Sequence, residues 1–160
     1  MRKWILSLLL ITVPVQADSI VKYGLGVGSS AKNSNTEVKT ISIAYQENAF
    51  GPIIYQLEGG IWTDSRSDVK RKGSGFGDAG IGFNIDAGNL YCQTVVALAI
   101  ITDTDSMLGS HFQFNNDLAI GLKDRDGNSI GLNYKHISNA GLVSPNIGRD
   151  FIMMRLAIPL

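Results

Sequence analysis

The sequence has little with which to build covalent cross-links. Its 160 residues include one cysteine, Cys92, which excludes an intramolecular disulfide. We interpret Cys92 as small apolar filler, because no histidine or basic residue lies near it in sequence to activate the thiol. Fourteen basic and fourteen acidic residues balance, and the one basic run spans residues 70–72. This pattern gives no support for a nucleic-acid partner.

A long apolar run of the kind that forms a transmembrane helix is also missing. The first residues contain Arg2 and Lys3, then an apolar run over 4–13, then Val-Gln-Ala at 15–17. The run is shorter than the roughly 20 residues that a spanning helix needs, which disfavours an uncleaved anchor. We therefore predict a signal peptide over residues 1–17 and one domain over 18–160.

Helical periodicity is absent after residue 18, and alternation of apolar with small or polar residues replaces it. Alternating segments occur at residues 21–28, 40–46, 53–62, 78–86, 90–100, 112–122, 130–135 and 152–158. Short turns near 48–52, 87–89 and 124–128 alternate with longer loops near 30–36, 64–74, 102–109 and 139–149. The pattern predicts an all-β, eight-stranded antiparallel transmembrane β-barrel in a bacterial outer membrane.

A soluble β-sandwich would also show alternation, and it remains the alternative fold. The barrel is favoured because the inward set is rich in glycine, alanine and polar residues, as a small closed barrel requires. Its charged members are expected to pair inside, since unpaired interior charge is costly. They are Lys22, Glu58, Asp78, Asp117, Lys135 and Arg155.

A histidine and a serine stand two apart near the end of the seventh strand. His136 and Ser138 share one strand face, and that face also carries Ile130, Leu132 and Tyr134 upstream. If the last hairpin is symmetric about residue 143, Asp150 lies directly opposite His136 on the same face. An even strand count puts these three residues at the height of the outer leaflet. The alternative is that His136 and Ser138 merely face headgroups and water.

The same region resembles a known family. The matching residues are His-Ile-Ser-Asn-Ala-Gly at 136–141, Pro-Asn at 145–146, an acidic residue at 150, and Gly-Ser-His-Phe-Gln-Phe at 109–114. They are similar to those of the PagL family of outer-membrane lipid A 3-O-deacylases. The close match covers about the last 50 residues. The acid is Asp150 here, whereas the family typically has glutamate, which is longer by one methylene.

The resemblance implies hydrolysis of the ester-linked 3-hydroxyacyl chain at position 3 of lipid A, with lipopolysaccharide as substrate. It implies Ser138 as nucleophile, His136 as base and Asp150 as the acid that orients the base. Asn139, Gly141 and Asn146 are expected to hold the oxyanion and shape the loop. No metal or organic cofactor is implied. The rival functions are a non-catalytic barrel acting in adhesion or surface blocking, and an outer-membrane phospholipase.

Overall fold

The computed structural model describes residues 19–30, 33–64, 73–104 and 107–160, which form a closed antiparallel barrel. The predicted signal peptide and the basic run at 70–72 lie outside the described residues. The last strand returns to pair with the first and closes the sheet, so the predicted eight-stranded barrel is confirmed. The strands are β1 (Ser19–Ser30), β2 (Asn33–Phe50), β3 (Ile53–Asp64), β4 (Gly73–Ala87), β5 (Leu90–Ile101), β6 (Phe112–Lys123), β7 (Ser129–Ser138) and β8 (Arg149–Pro159).

The two ends of the barrel differ in their connections. Only residues 31–32 separate β1 from β2, so the longer loop predicted near 30–36 is wrong. Tight turns follow β2, β4 and β6 at one end of the barrel, and longer connections follow β3, β5 and β7 at the other. We call these the turn end and the loop end. Strand β7 runs from the turn end to the loop end, so His136 and Ser138 lie near the loop end. The described part of the chain contains no candidate membrane-spanning helix.

The outer wall of the barrel is apolar on all eight strands. Side chains such as Leu98, Leu132 and Ile152 alternate with buried neighbours, and more than half of each is exposed. A polar or mixed outer face would be expected if this wall contacted water. An apolar wall around a polar interior is instead typical of a transmembrane barrel.

Charged side chains fill the middle of the barrel interior and balance one another. Arg155 donates to Glu58 at 2.7 Å, and Lys135 lies 3.2 Å from both Glu58 and Asp78 and 3.4 Å from Asp117. The sixth member, Lys22, donates to the amide oxygens of Gln93 and Gln56, at 2.7 and 3.2 Å. The predicted interior charge network is therefore confirmed, and pairing offsets the cost of burying its charges.

The interior at the loop end holds large apolar side chains, which the sequence pattern did not predict, and the buried Arg149 lies over the ring of Trp62. A cluster of buried apolar side chains closes the barrel there: Val38, Trp62, Phe76, Ile101, Met107, Leu108, Ile137, Phe151 and Met153. Trp62 stacks on Phe76 with ring centroids 5.5 Å apart. The expectation that the inward side chains are small or polar thus holds for the middle of the barrel. At the loop end, large side chains pack behind the wall that carries His136 and Ser138.

Strand β4 begins at Gly73, five residues before the alternation becomes visible in the sequence at 78. Its outward positions there are Gly73, Gly75 and Gly77, and its inward positions are Ser74 and Phe76. Glycine has no side chain to mark the apolar face, so hydropathy alternation fails although strand pairing continues. The boundary error follows from composition rather than from a different fold.

Candidate active site

The hairpin of β7 and β8 brings His136 and Asp150 together on the outer wall. The two residues are direct cross-strand partners, as symmetric pairing predicts. His136 Nδ1 lies 2.7 Å from Asp150 Oδ1, and the two side chains are 30% and 25% exposed. Asp150 is therefore long enough to reach the histidine. A carboxylate bonded to Nδ1 fixes the ring so that Nε2 is left for other chemistry.

Tyr134 is a second donor to the same carboxylate. Its hydroxyl lies 2.6 Å from Asp150 Oδ1, the oxygen that also contacts His136. Sequence reasoning assigned Tyr134 only to the apolar face of β7. The predicted strand register could have revealed this contact. Tyr134 pairs with Ile152 and is therefore the diagonal neighbour of Asp150, a distance that an aromatic side chain can span.

Polar residues form a row across four strands at the height of His136. The register aligns Asn116 of β6, His136 of β7, Asp150 of β8 and Ser29 of β1. The next outward-facing residues toward the turn end, two positions along each strand, are Leu118, Tyr134, Ile152 and Val27 in the same order. The row therefore forms a polar level on four strands of an otherwise apolar wall.

Ser138 is the last residue of β7 and lies one pair nearer the loop end. It pairs with Phe114 of β6, and its side chain is partly exposed on the same face as His136. Alternate residues of a strand are about 6.6 Å apart, so the two side chains are neighbours. The Ser138 hydroxyl makes no hydrogen bond to any described residue, His136 included. The structure thus joins histidine to acid and places the serine beside them.

The loop after β7 is held by the three residues predicted to shape it. Asn139 is buried, and its side chain donates to Val143 O at 2.7 Å and accepts from the Gly141 amide at 3.0 Å. Asn146 Oδ1 accepts from the Asn139 amide at 2.8 Å. Asn139 and the Gly141 amide are thus committed to the loop itself. The Asn146 Nδ2 group makes no hydrogen bond to a described residue.

A second loop supports the first. Residues 107–109, between β5 and β6, pair with residues 145–147: Gly109 donates to Pro145 O and Ile147 donates to Met107 O, both at 2.9 Å. A Cβ on Gly109 would lie 2.7 Å from the backbone nitrogen of Pro145. Only glycine allows the two loops to approach so closely, which explains why Gly109 belongs to the recognised pattern.

These features define a class: a transmembrane-type β-barrel that carries a hydrogen-bonded histidine–aspartate pair beside a serine on its outer wall. A family model described as Lipid A 3-O-deacylase (PagL) matches residues 21–159. The chain belongs to this family, and the resemblance seen in the sequence is confirmed.

Two curated relatives agree with this assignment. The chain is 34% identical over 67 residues to the Lipid A deacylase PagL of Bordetella bronchiseptica, covering 40% of this chain and 38% of the relative. It is 39% identical over 56 residues to the Lipid A deacylase PagL of Pseudomonas aeruginosa, covering 35% of this chain and 32% of the relative. The aligned stretches thus span about a third of these relatives.

Among solved structures, the outer membrane enzyme PagL superposes with a TM-score of 0.64 at 20% identity, covering 88% of this chain and 99% of that one. Neisserial surface protein A superposes with a TM-score of 0.62 at 9% identity, covering 89% and 96%. At these identities, the structural likeness establishes the barrel fold and not the chemistry.

Proposed function

We propose that this chain is a lipid A 3-O-deacylase of the bacterial outer membrane. It hydrolyses the ester that links a 3-hydroxyacyl chain to position 3 of lipid A. The observation that carries the proposal is the His136–Asp150 hydrogen bond beside Ser138 on an apolar outer wall. A hydrolytic site on such a wall suits a substrate whose acyl chains lie in the membrane. Family membership supports the same substrate.

The proposed mechanism assigns the first bond change to Ser138. Its Oγ attacks the ester carbonyl while His136 Nε2 accepts the hydroxyl proton, and Asp150 stabilises the imidazolium that forms. The tetrahedral intermediate collapses by breaking the bond to the sugar oxygen, which leaves with the proton from His136. Water, activated by His136, then attacks the acyl-enzyme and releases the 3-hydroxy fatty acid. No cofactor enters this sequence.

The developing oxyanion needs donors that are not already committed. Of the three loop residues predicted for this role, Asn146 retains an amide group without a hydrogen bond to the described residues. The Ala140 amide is a second donor of this kind, in a turn where Ala140 adopts a φ of 53°. We assign the oxyanion to Asn146 Nδ2 and the Ala140 N–H, and loop shaping to Asn139 and the Gly141 amide.

The position of the site suggests how substrate and water reach it. The acyl chain lies along the apolar wall below the polar row, and its ester lies level with Ser138. Water enters from the loop end, which faces the cell exterior in this proposal. The site therefore stands at the height of the outer leaflet, where lipid A resides.

The test is expression of the chain in a Gram-negative host of known lipid A composition, followed by mass spectrometry of the lipid A. We expect the loss of one 3-hydroxyacyl chain and recovery of the free 3-hydroxy fatty acid, relative to the same host without the protein. Heat-dependent electrophoretic mobility verifies that the barrel is folded. Unchanged lipid A with a folded barrel would overturn the proposal in favour of a non-catalytic barrel. Lysophospholipids with intact lipid A would overturn it in favour of a phospholipase.

A further inference from the structure

The Asp150 carboxylate receives two donors on a single oxygen. His136 Nδ1 and the Tyr134 hydroxyl lie 2.7 and 2.6 Å from Oδ1. No lysine or arginine forms an ion pair with Asp150 among the described residues. The hydrogen bonds that orient this carboxylate among the described residues are therefore those of the imidazole and the phenol. Its other neighbours on the outer wall include Ser29, its partner on β1, and the apolar Ile152.

Aspartate is one methylene shorter than glutamate, so its carboxylate reaches His136 from only part of its rotamer range. A tyrosine side chain has two torsions and a rigid ring, and it orders a hydrogen bond at low cost in conformational entropy. The ring of Tyr134 lies on the apolar face of β7 while its hydroxyl is level with the polar row. This amphipathic placement is what a tyrosine provides at an apolar–polar boundary.

We infer that Tyr134 is a positioning residue that holds Asp150 in the orientation that receives the Nδ1–H of His136. The inference rests on the proposed function, because it concerns the triad of that reaction. Tyr134 does not touch the reacting atoms. It acts through Asp150: a fixed carboxylate keeps the imidazole in the tautomer that leaves Nε2 for the Ser138 proton.

The test is a double-mutant cycle on purified, folded protein with lipid A as substrate. Tyr134→Phe removes only the hydroxyl, and we expect kcat to fall about 10-fold with KM within about twofold of native. In an Asp150→Glu background, the added methylene moves the carboxylate away from its place beside the phenol, so Tyr134→Phe is expected to cost less than about twofold. Tyr23→Phe is the matched control, because Tyr23 is also an exposed outer-wall tyrosine, on β1, and it is expected to leave kcat within about twofold.

Each other outcome overturns the inference. An unchanged kcat for Tyr134→Phe would show that the phenol does not position the acid. A rise in KM alone would make Tyr134 a substrate contact, and equal losses in the Asp150 and Asp150→Glu backgrounds would make its role merely structural. If Ser138→Ala remains inactive in the same assay, such outcomes leave the proposed function intact. If Ser138→Ala retains full turnover, the proposed function itself fails.

Discussion

Ser138→Ala is expected to lower the rate of lipid A deacylation by at least about 10³-fold while the barrel folds normally. The substitution removes the nucleophilic oxygen and leaves His136 and Asp150 joined. Because Ser138 donates to no described residue and is partly exposed, its hydroxyl has no structural partner to lose. Stability and membrane insertion should therefore match the native chain. Deacylation is measured as release of 3-hydroxy fatty acid from lipid A in detergent micelles.

The matched control is Ser129→Ala at the opposite end of the same strand. Ser129 begins β7 at the turn end, nine residues before Ser138, and pairs with Ala157 of β8. Its loss is expected to change the rate by less than about twofold. A fluorophosphonate probe should label the native chain and Ser129→Ala but not Ser138→Ala. A Ser138→Ala variant that retains a tenth of the native rate would place the nucleophile elsewhere and refute the triad.

The barrel and the meeting of His136 with Asp150 were predictable because both depend on strand parity. Alternation gives the face of each residue, and a closed hairpin with a known centre gives the partner across it. Parity is local in sequence, so the order of apolar and polar residues within each strand reveals it. Where the outward residues are glycines, as at the start of β4, the signal vanishes although the pairing persists.

The remaining features depend on contacts that alternation does not encode. Parity puts Trp62 inside the barrel, but it does not tell that Trp62 stacks on Phe76 at the loop end, next to a charged middle. The pairing of residues 107–109 with 145–147 joins two irregular loops and has no periodic signature. Tyr134 is different, because parity places it on the correct face. Its hydrogen-bonding role was not predicted, since a hydropathy pattern counts the ring as apolar although the hydroxyl binds Asp150.

Gly148→Ala is expected to lower kcat/KM by about 100-fold, since a misplacement of about 1 Å in a catalytic group has this effect. Gly148 adopts a φ of +79°, and a Cβ there would lie 2.8 Å from Cε1 of His136. The imidazole cannot yield freely, because its Nδ1 is bonded to Asp150 at 2.7 Å. Either the ring turns and breaks this bond, or the loop carrying Gly148 moves away. Both changes alter the geometry at Nε2.

A side chain at a left-handed φ also costs about 1 to 2 kcal/mol, and this strain must be distinguished from the effect of the contact with His136. Gly88→Ala is the control, since Gly88 has a φ of +64° in a turn-end connection and a Cβ there would have nothing within 4 Å. We expect both variants to lose stability through this strain, measured as the temperature at which the folded electrophoretic mobility disappears, and only Gly148→Ala to lose activity. Equal activity in the two variants would show that His136 tolerates the displacement. A selective loss would instead establish that glycine at 148 is required by the histidine it faces, because strain is common to both positions and the contact is not.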